Sequence, residues 1–430
     1  MIQIAVKLSR WGAAVSRNPR VRPIFRTSSQ PLRFLHDGTN GPGANPVAVQ
    51  MINYALSHAR SQKSDESYAQ GMLILEQCLS TQPSESEGQF AQNSIGTVLL
   101  AMSNLLYERG SFAEAIEKLH RVQDLAQASL GVRVAAMEAL VGLHLQSCQD
   151  DTSSVLADKC LELLDKDDLK SDGGKEKSVI ARAKAVKGLV ELVSGNLESA
   201  ASQFEGLQDV ADLNGSVALS YGQYLHAVQS FSQAKELYKT IIERMPKTED
   251  FSDINALAVC NMAPDEVLLA ATFALGQLES HMGKFDAAEE ILTKALTKTE
   301  EHFGSNHPKV GVVLTCIALM FQNKARQEHS SSLLIQEGLY RRALEFLKAP
   351  PLESKGAETK LDRRDILALA RGGYAEVLCV QQNRKAEGEK MKTWAEAAWR
   401  NRRLSLANAL DISEPSSKVP VIDARTSRVL

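Results

Sequence analysis

No apolar run in this 430-residue chain approaches the roughly 18–20 residues that a helix needs to cross a bilayer, so no transmembrane helix is expected. Aromatics are scarce, at 5%, beside a 44% hydrophobic content in which Ala and Leu dominate. Gly and Pro rarely interrupt the periodic segments, which speaks against a sheet protein and for helices. The six cysteines (Cys78, Cys148, Cys160, Cys260, Cys316, Cys379) lie far apart without a CxxC pair. That spacing excludes a zinc ribbon and a small disulfide scaffold, and the thiols are read as reduced and structural. GxxxxGK[ST], a GxGxxG behind a strand, HExxH and GxSxG are all absent. His302 and His307 stand close in sequence, but no cysteine or carboxylate cluster completes a metal shell around them. No catalytic, cofactor-binding or metal-binding residue is therefore assigned, and neither an enzyme nor a small-molecule substrate is expected.

Acid is missing from one region only. Residues 1–36 carry seven basic side chains (Lys7, Arg10, Arg17, Arg20, Arg22, Arg26, Arg33) and no Asp or Glu. The remainder holds 42 Lys+Arg against 52 Asp+Glu, a net charge of −10. An acidic body lacks the basic stripe that phosphate contacts require, which disfavours nucleic acid as a partner. The N-terminal stretch is different: Met1–Ala14 alternates apolar residues with Lys7 and Arg10, and arginines and serines continue to Leu35. This is the composition of an organelle transit peptide, and it lacks the uninterrupted apolar core of a secretory signal. Frequent Arg points to mitochondria, matrix or inner-membrane associated, ahead of plastids. Arg33-Phe34-Leu35 is similar to an arginine-guided processing site. The plain alternative is a basic tail without a targeting role.

The body is organised around Leu269–Met320. Leu268, Thr272, Leu275 and Glu279 recur at helical spacing, with Ala271 and Gly276 small on the same side, which lets a second helix approach closely. Gly283 suits a helix C-terminus, and Phe285, Ala288, Ile291, Leu292 and Ala295 begin a second amphipathic run. Two antiparallel helices with a short turn form the unit of an α-solenoid. Gly276, Gly283, Ala288 and Ala295 resemble the tetratricopeptide repeat (TPR) signature. The stretch Glu301–Val310, with Asn306-His307-Pro308, looks like the connection between kinesin-light-chain-type repeats. Pro308 suits a first helical position, with Asn306 or His307 as its cap.

Further units follow the same pattern at 47–83, 95–128, 184–207, 218–246 and beyond Pro308, with a helical pair of uncertain type at 130–164. Charged or Pro-rich loops are expected at 165–177, 247–264 and 349–360. A last helix over 386–410, carrying Trp394 and Trp399, would cap the array, with Arg400, Arg402 and Arg403 at its polar end. The expected fold is all-α, a right-handed α-solenoid of six to eight TPR-like helix pairs. Its boundaries are a transit peptide at 1–36, a linker at 37–46, the repeats at 47–410 and a disordered tail at 411–430.

The resemblance implies that the first helix of each repeat lines a concave surface. On it, Asn104, Gln223, His226, Gln277 and His281 are the candidate partner contacts, the plain alternative being ordinary solvated helix faces. The carboxylate clamp of chaperone-binding TPRs is not matched: Leu100 stands one turn before Asn104 where that clamp needs a cation. The base-reading pairs of pentatricopeptide RNA readers are not evident either. The expectation is a non-enzymatic scaffold or adaptor for protein partners in mitochondria, an assembly factor for an organelle complex. The alternative is an RNA-associated factor of organelle gene expression using Arg400–Arg403. Cytosolic cargo adaptation ranks third, since no heptad coiled coil precedes the repeats.

Overall fold

The structure, a computed structural model, describes residues 43–82, 88–166, 175–207, 215–244, 263–353, 362–411 and 418–430. The transit-peptide reading of 1–36, most of the 37–46 linker and most of the loops at 165–177 and 247–264 lie outside the described residues, as does much of 349–360. Seventeen helices are described. Sixteen of them form eight antiparallel pairs: α1 (Pro46–Gln62) with α2 (Asp65–Ser80), α3 (Gln89–Glu108) with α4 (Phe112–Asp124), α5 (Leu130–Gln146) with α6 (Asp150–Lys166), and α7 (Lys175–Val193) with α8 (Leu197–Phe204). Then come α9 (Gly215–Ala227) with α10 (Phe231–Arg244), α11 (Pro264–His281) with α12 (Phe285–Phe303), α13 (Pro308–Gln327) with α14 (Leu333–Phe346), and α15 (Arg364–Cys379) with α16 (Lys385–Ala398). Each pair also packs on the next, so the chain is an all-α, TPR-like solenoid.

One turn recurs through the array. After α3, α7 and α11 the chain passes through Gly110, Gly195 and Gly283 with φ of 79°, 80° and 73°. The N–H donors of Ser111, Asn196 and Lys284 then reach back to the carbonyls of Leu106, Glu191 and Glu279. This is the Schellman closure, and it favours glycine at its left-handed position. After α5, α9 and α13 the same closure is made with Cys148, Gln229 and His329 in the left-handed position, at φ of 56°, 64° and 49°. The uncertain pair at 130–164 is thus a regular unit whose turn lacks the glycine signature. A non-glycine residue there costs on the order of 1–2 kcal/mol. Packing must supply that, and α5 is buried almost end to end.

The two layers differ as their sequences do. The inner helices α3, α5, α11 and α13 are buried nearly all round, polar residues such as Asn104 and Gln277 included. The outer helices bury one stripe, such as Ala115, Leu119 and Val122 of α4, or Ala288, Leu292 and Ala295 of α12. Each fully buried Leu or Val of that stripe contributes about 1.5–3 kcal/mol. Inner and outer helices meet at the small residues read from the sequence. A Cβ on Gly222 would lie 2.7 Å from the Tyr238 ring, and one on Gly276 would lie 2.7 Å from Leu292.

The solenoid also meets itself. The end of α3 reaches the connection between α12 and α13, where the Lys309 ammonium sits 4.6 Å from the Phe303 ring centroid and 5.1 Å from that of Tyr107. The same ammonium pairs with buried Glu266 at 2.6 Å. His307 is the cap expected before Pro308, its Nδ1 accepting the Lys309 N–H at 3.2 Å.

Two expectations for the C-terminal region are corrected. The helix over 386–410 is broken: α16 ends at Ala398, and a short α17 (Leu406–Leu410) follows a reversal. The Trp399 indole N–H donates to Leu404 O at 2.7 Å, and Asn401 Oδ1 accepts the N–H groups of Arg403 and Leu404 at 2.9 and 2.8 Å. These local bonds compete with helical ones and turn the chain back. The second correction concerns the disordered tail expected at 411–430. Within it, residues 418–430 form a buried antiparallel hairpin of β1 (Ile422–Asp423) and β2 (Arg428–Val429).

Candidate peptide-binding groove

The hairpin lies against the inner helices, and its own turn is held by side chains. Asp423 pairs with Arg428 and Ile422 with Val429. Asp423 Oδ1 accepts the Arg425 N–H at 3.1 Å and its Nε–H at 3.0 Å, while Oδ2 accepts the Thr426 hydroxyl at 2.9 Å. Such an Asx arrangement closes a tight turn without help from neighbouring strands.

The inner helices hold this turn through two of the candidate residues, Gln277 and Gln223, and a neighbour, Ser220. Gln277 on α11 treats Ile422 as a strand partner: its Nε2 donates to Ile422 O at 2.8 Å, and its Oε1 accepts the Ile422 N–H at 2.9 Å. Gln223 on α9 donates to Asp423 Oδ1 at 3.1 Å and accepts from Arg425 Nη2 at 2.7 Å. Ser220, one turn earlier, accepts from the same Nη2 at 3.2 Å. Burial alone would raise the Asp423 carboxyl, but the Arg425 guanidinium and the Gln223 amide bring it below its ordinary value.

A second pocket takes Arg428. Its Nε–H donates to Asp365 Oδ2 at 2.7 Å, and its Nη1 donates to Asp150 Oδ1 at 2.5 Å and to Leu145 O at 2.9 Å. Nη2 completes a fork to Asp150 Oδ2 at 3.0 Å. The acceptors come from α5, α6 and α15, so the pocket exists only once distant repeats have stacked. Arg403 closes the far side, donating to Val419 O at 2.5 Å and to Leu430 O, and Asn401 Nδ2 donates to Val429 O at 2.6 Å.

His226 and His281 meet beside this clamp, Nε2 to Nδ1 at 2.8 Å. Burial lowers both, and nearby Arg403 lowers them further, His281 to about 4. Both imidazoles are accordingly neutral at pH 7, one donating to the other. Asn104 is also buried on its inner helix, and among the described residues its Nδ2 has no hydrogen-bond partner. Of the five candidates, then, Gln223 and Gln277 touch the hairpin, His226 and His281 pair with each other, and Asn104 does neither. None is an ordinary solvated side chain.

Asp150, Asp365 and Ser220 were missed by sequence reasoning. Both aspartates sit in the first turn of a helix, where a carboxylate is favoured by the dipole and draws no notice. Of the cations read at the polar end of the last helix, Arg403 is buried, whereas Arg400 and Arg402 are exposed.

What the geometry defines is a helical-repeat protein whose inner face grips a peptide segment by its backbone and by two arginines. Among known families, a tetratricopeptide-repeat model matches residues 274–309, which cover the last eight residues of α11, all of α12 and the start of α13. No curated protein matches the chain. Among the described residues no helix is long and apolar enough to cross a membrane, and no cluster of His, Cys, Asp and Glu forms a metal site.

Proposed function

We propose that this chain is a non-enzymatic protein–protein interaction scaffold of mitochondria, an adaptor or assembly factor that receives a segment of a partner protein on its inner helices. The observation that carries the binding reading is Gln277, which pairs both of its amide groups with the backbone of Ile422. An inner-face side chain that bonds to backbone accepts a segment for its conformation, as strand-addition sites do. The compartment rests on residues 1–36, which are basic and free of acid. The test is purification of the tagged full-length protein from isolated mitochondria after nuclease treatment, with mass spectrometry of what stays bound. A stoichiometric set of subunits from one complex is expected. Loss of every partner with the nuclease would transfer the chain to organelle RNA metabolism. Absence of the protein from mitochondria would remove the compartment.

A further inference from the structure

The groove is chemically specific beyond what closing a core requires. Arg425 and Arg428 are buried to 1% and 2% exposure, and each is met by acceptors supplied from the inner helices. Burying a guanidinium against carboxylates adds little stability over apolar residues of the same size, so stability alone does not account for these two arginines. Gln277 adds a reading of backbone conformation, and Asp150 with Asp365 adds a bidentate reading of one arginine. The fit also has slack. Arg403 Nε and Nη1, Asp365 Oδ1 and Ser427 Oγ, all at this interface, find no hydrogen-bond partner among the described residues.

We propose that residues 418–430 are the chain's own occupant of a recognition groove. Its external ligand is a protein segment that turns on the same pattern, Asp-x-Arg-x-x-Arg, and displaces the hairpin. This rests on the scaffold reading above and names the partner chemistry that reading leaves open. The carboxylate sets the turn as Asp423 does, the first arginine reaches Ser220 and Gln223, and the second enters the Asp150–Asp365 pocket.

The probe is a fluorescent peptide with the sequence of residues 418–430, titrated against the full-length chain and its Arg428→Ala variant. In the variant the native hairpin loses its second anchor, so the peptide is expected to bind at least tenfold more tightly than to the wild-type chain. A peptide carrying the same Arg428→Ala change should bind neither. Absence of binding to both chains, or binding indifferent to the peptide's arginine, overturns the proposal. Should the variant fail to fold, hydrogen exchange on the wild-type chain decides. The amides of Ile422 and Leu430 should exchange at least tenfold faster than those in the middle of α5 and α15, through an opening of the hairpin alone. Equal exchange would make the hairpin part of the permanent core. Sedimentation completes the set: a wild-type dimer that dissociates on Arg428→Ala would assign the groove to a second copy and overturn the external ligand. A partner recovered from mitochondria together with a silent peptide would leave the scaffold reading standing and remove only this one.

Discussion

Two places in this molecule join segments that are far apart in the chain, and they do so by different chemistry. At the seam, the end of α3 meets the α12–α13 connection through the Lys309 ammonium, the Tyr107 and Phe303 rings and the Glu266 carboxylate. Every group there stands on or beside a helix that its own repeat already pins. At the clamp, residues 418–430 meet α5, α6, α9, α11, α15 and the turn at Asn401–Arg403, with Val419, Val421 and Leu430 packed into the hydrophobic core, but no helix pair of their own pins them. The seam fixes the curvature of the solenoid, whereas the clamp fills that curvature with something that can leave. Polar burial therefore has two meanings here, and the energetic consequences of disturbing each should differ.

The largest effect is expected at the seam. Lys309→Met keeps the aliphatic stem but leaves Glu266 buried without its cation, a change that costs about 3–5 kcal/mol. A urea titration should show the midpoint falling accordingly. A loss under about 1 kcal/mol would mean that the seam opens as readily as the clamp, and the contrast between them would disappear.

Acid is the next lever. His226 is buried and His281 half-buried, and both are neutral in the folded chain, with His281 lowered to about 4. The unfolded imidazole takes up a proton near its ordinary ~6.5, so stability should fall as pH drops below that value. The His281 share of the fall is complete once the folded His281 protonates, near 4, while His226, lowered well below its ordinary value, goes on contributing. For His281 alone the full loss is about 3 kcal/mol. Thermal unfolding followed from pH 7 to pH 4 measures it, and His281→Gln should flatten the curve over that window. An unchanged slope in the variant would place the acid sensitivity elsewhere, His307 being the next candidate because burial and Lys309 lower it to about 3.

Much of the stack was legible because close helix packing leaves a mark in the sequence. Gly222 faces Tyr238 and Gly276 faces Leu292, and a glycine inside a helical pattern has few other reasons to be there. The inner-face candidates Gln223 and Gln277 each follow one of those glycines directly, so repeat register alone placed them. The hairpin was not legible. Its strands are two residues long, too short for any alternation to declare itself, and its partners lie as many as 283 positions away. Arg403 was misplaced for a related reason: the helical pattern runs on through Trp399, and only the local bonds of Trp399 and Asn401 show that the chain turns inward. Gly276→Ala tests the legible part. The added methyl meets Leu292, which is fully buried and has little room to yield, so overpacking should cost about 1–3 kcal/mol in urea.

The smallest global effect and the sharpest local one should come from Gln277→Leu. The substitution removes both bonds to Ile422 and leaves a buried N–H and C=O unmet, which would cost about 1–3 kcal/mol if the hairpin were obliged to stay. A segment that belongs to no helix pair has another course: it undocks, and water satisfies its backbone. Its docking free energy then caps the loss, and the urea midpoint of the stack should shift by less than about 1 kcal/mol. Exchange at the Ile422 amide should meanwhile accelerate by an order of magnitude or more while the amides of α11 keep their protection. If the midpoint falls by the full amount and α11 loses protection with the hairpin, the two regions are a single cooperative unit, and seam and clamp alike belong to the fold.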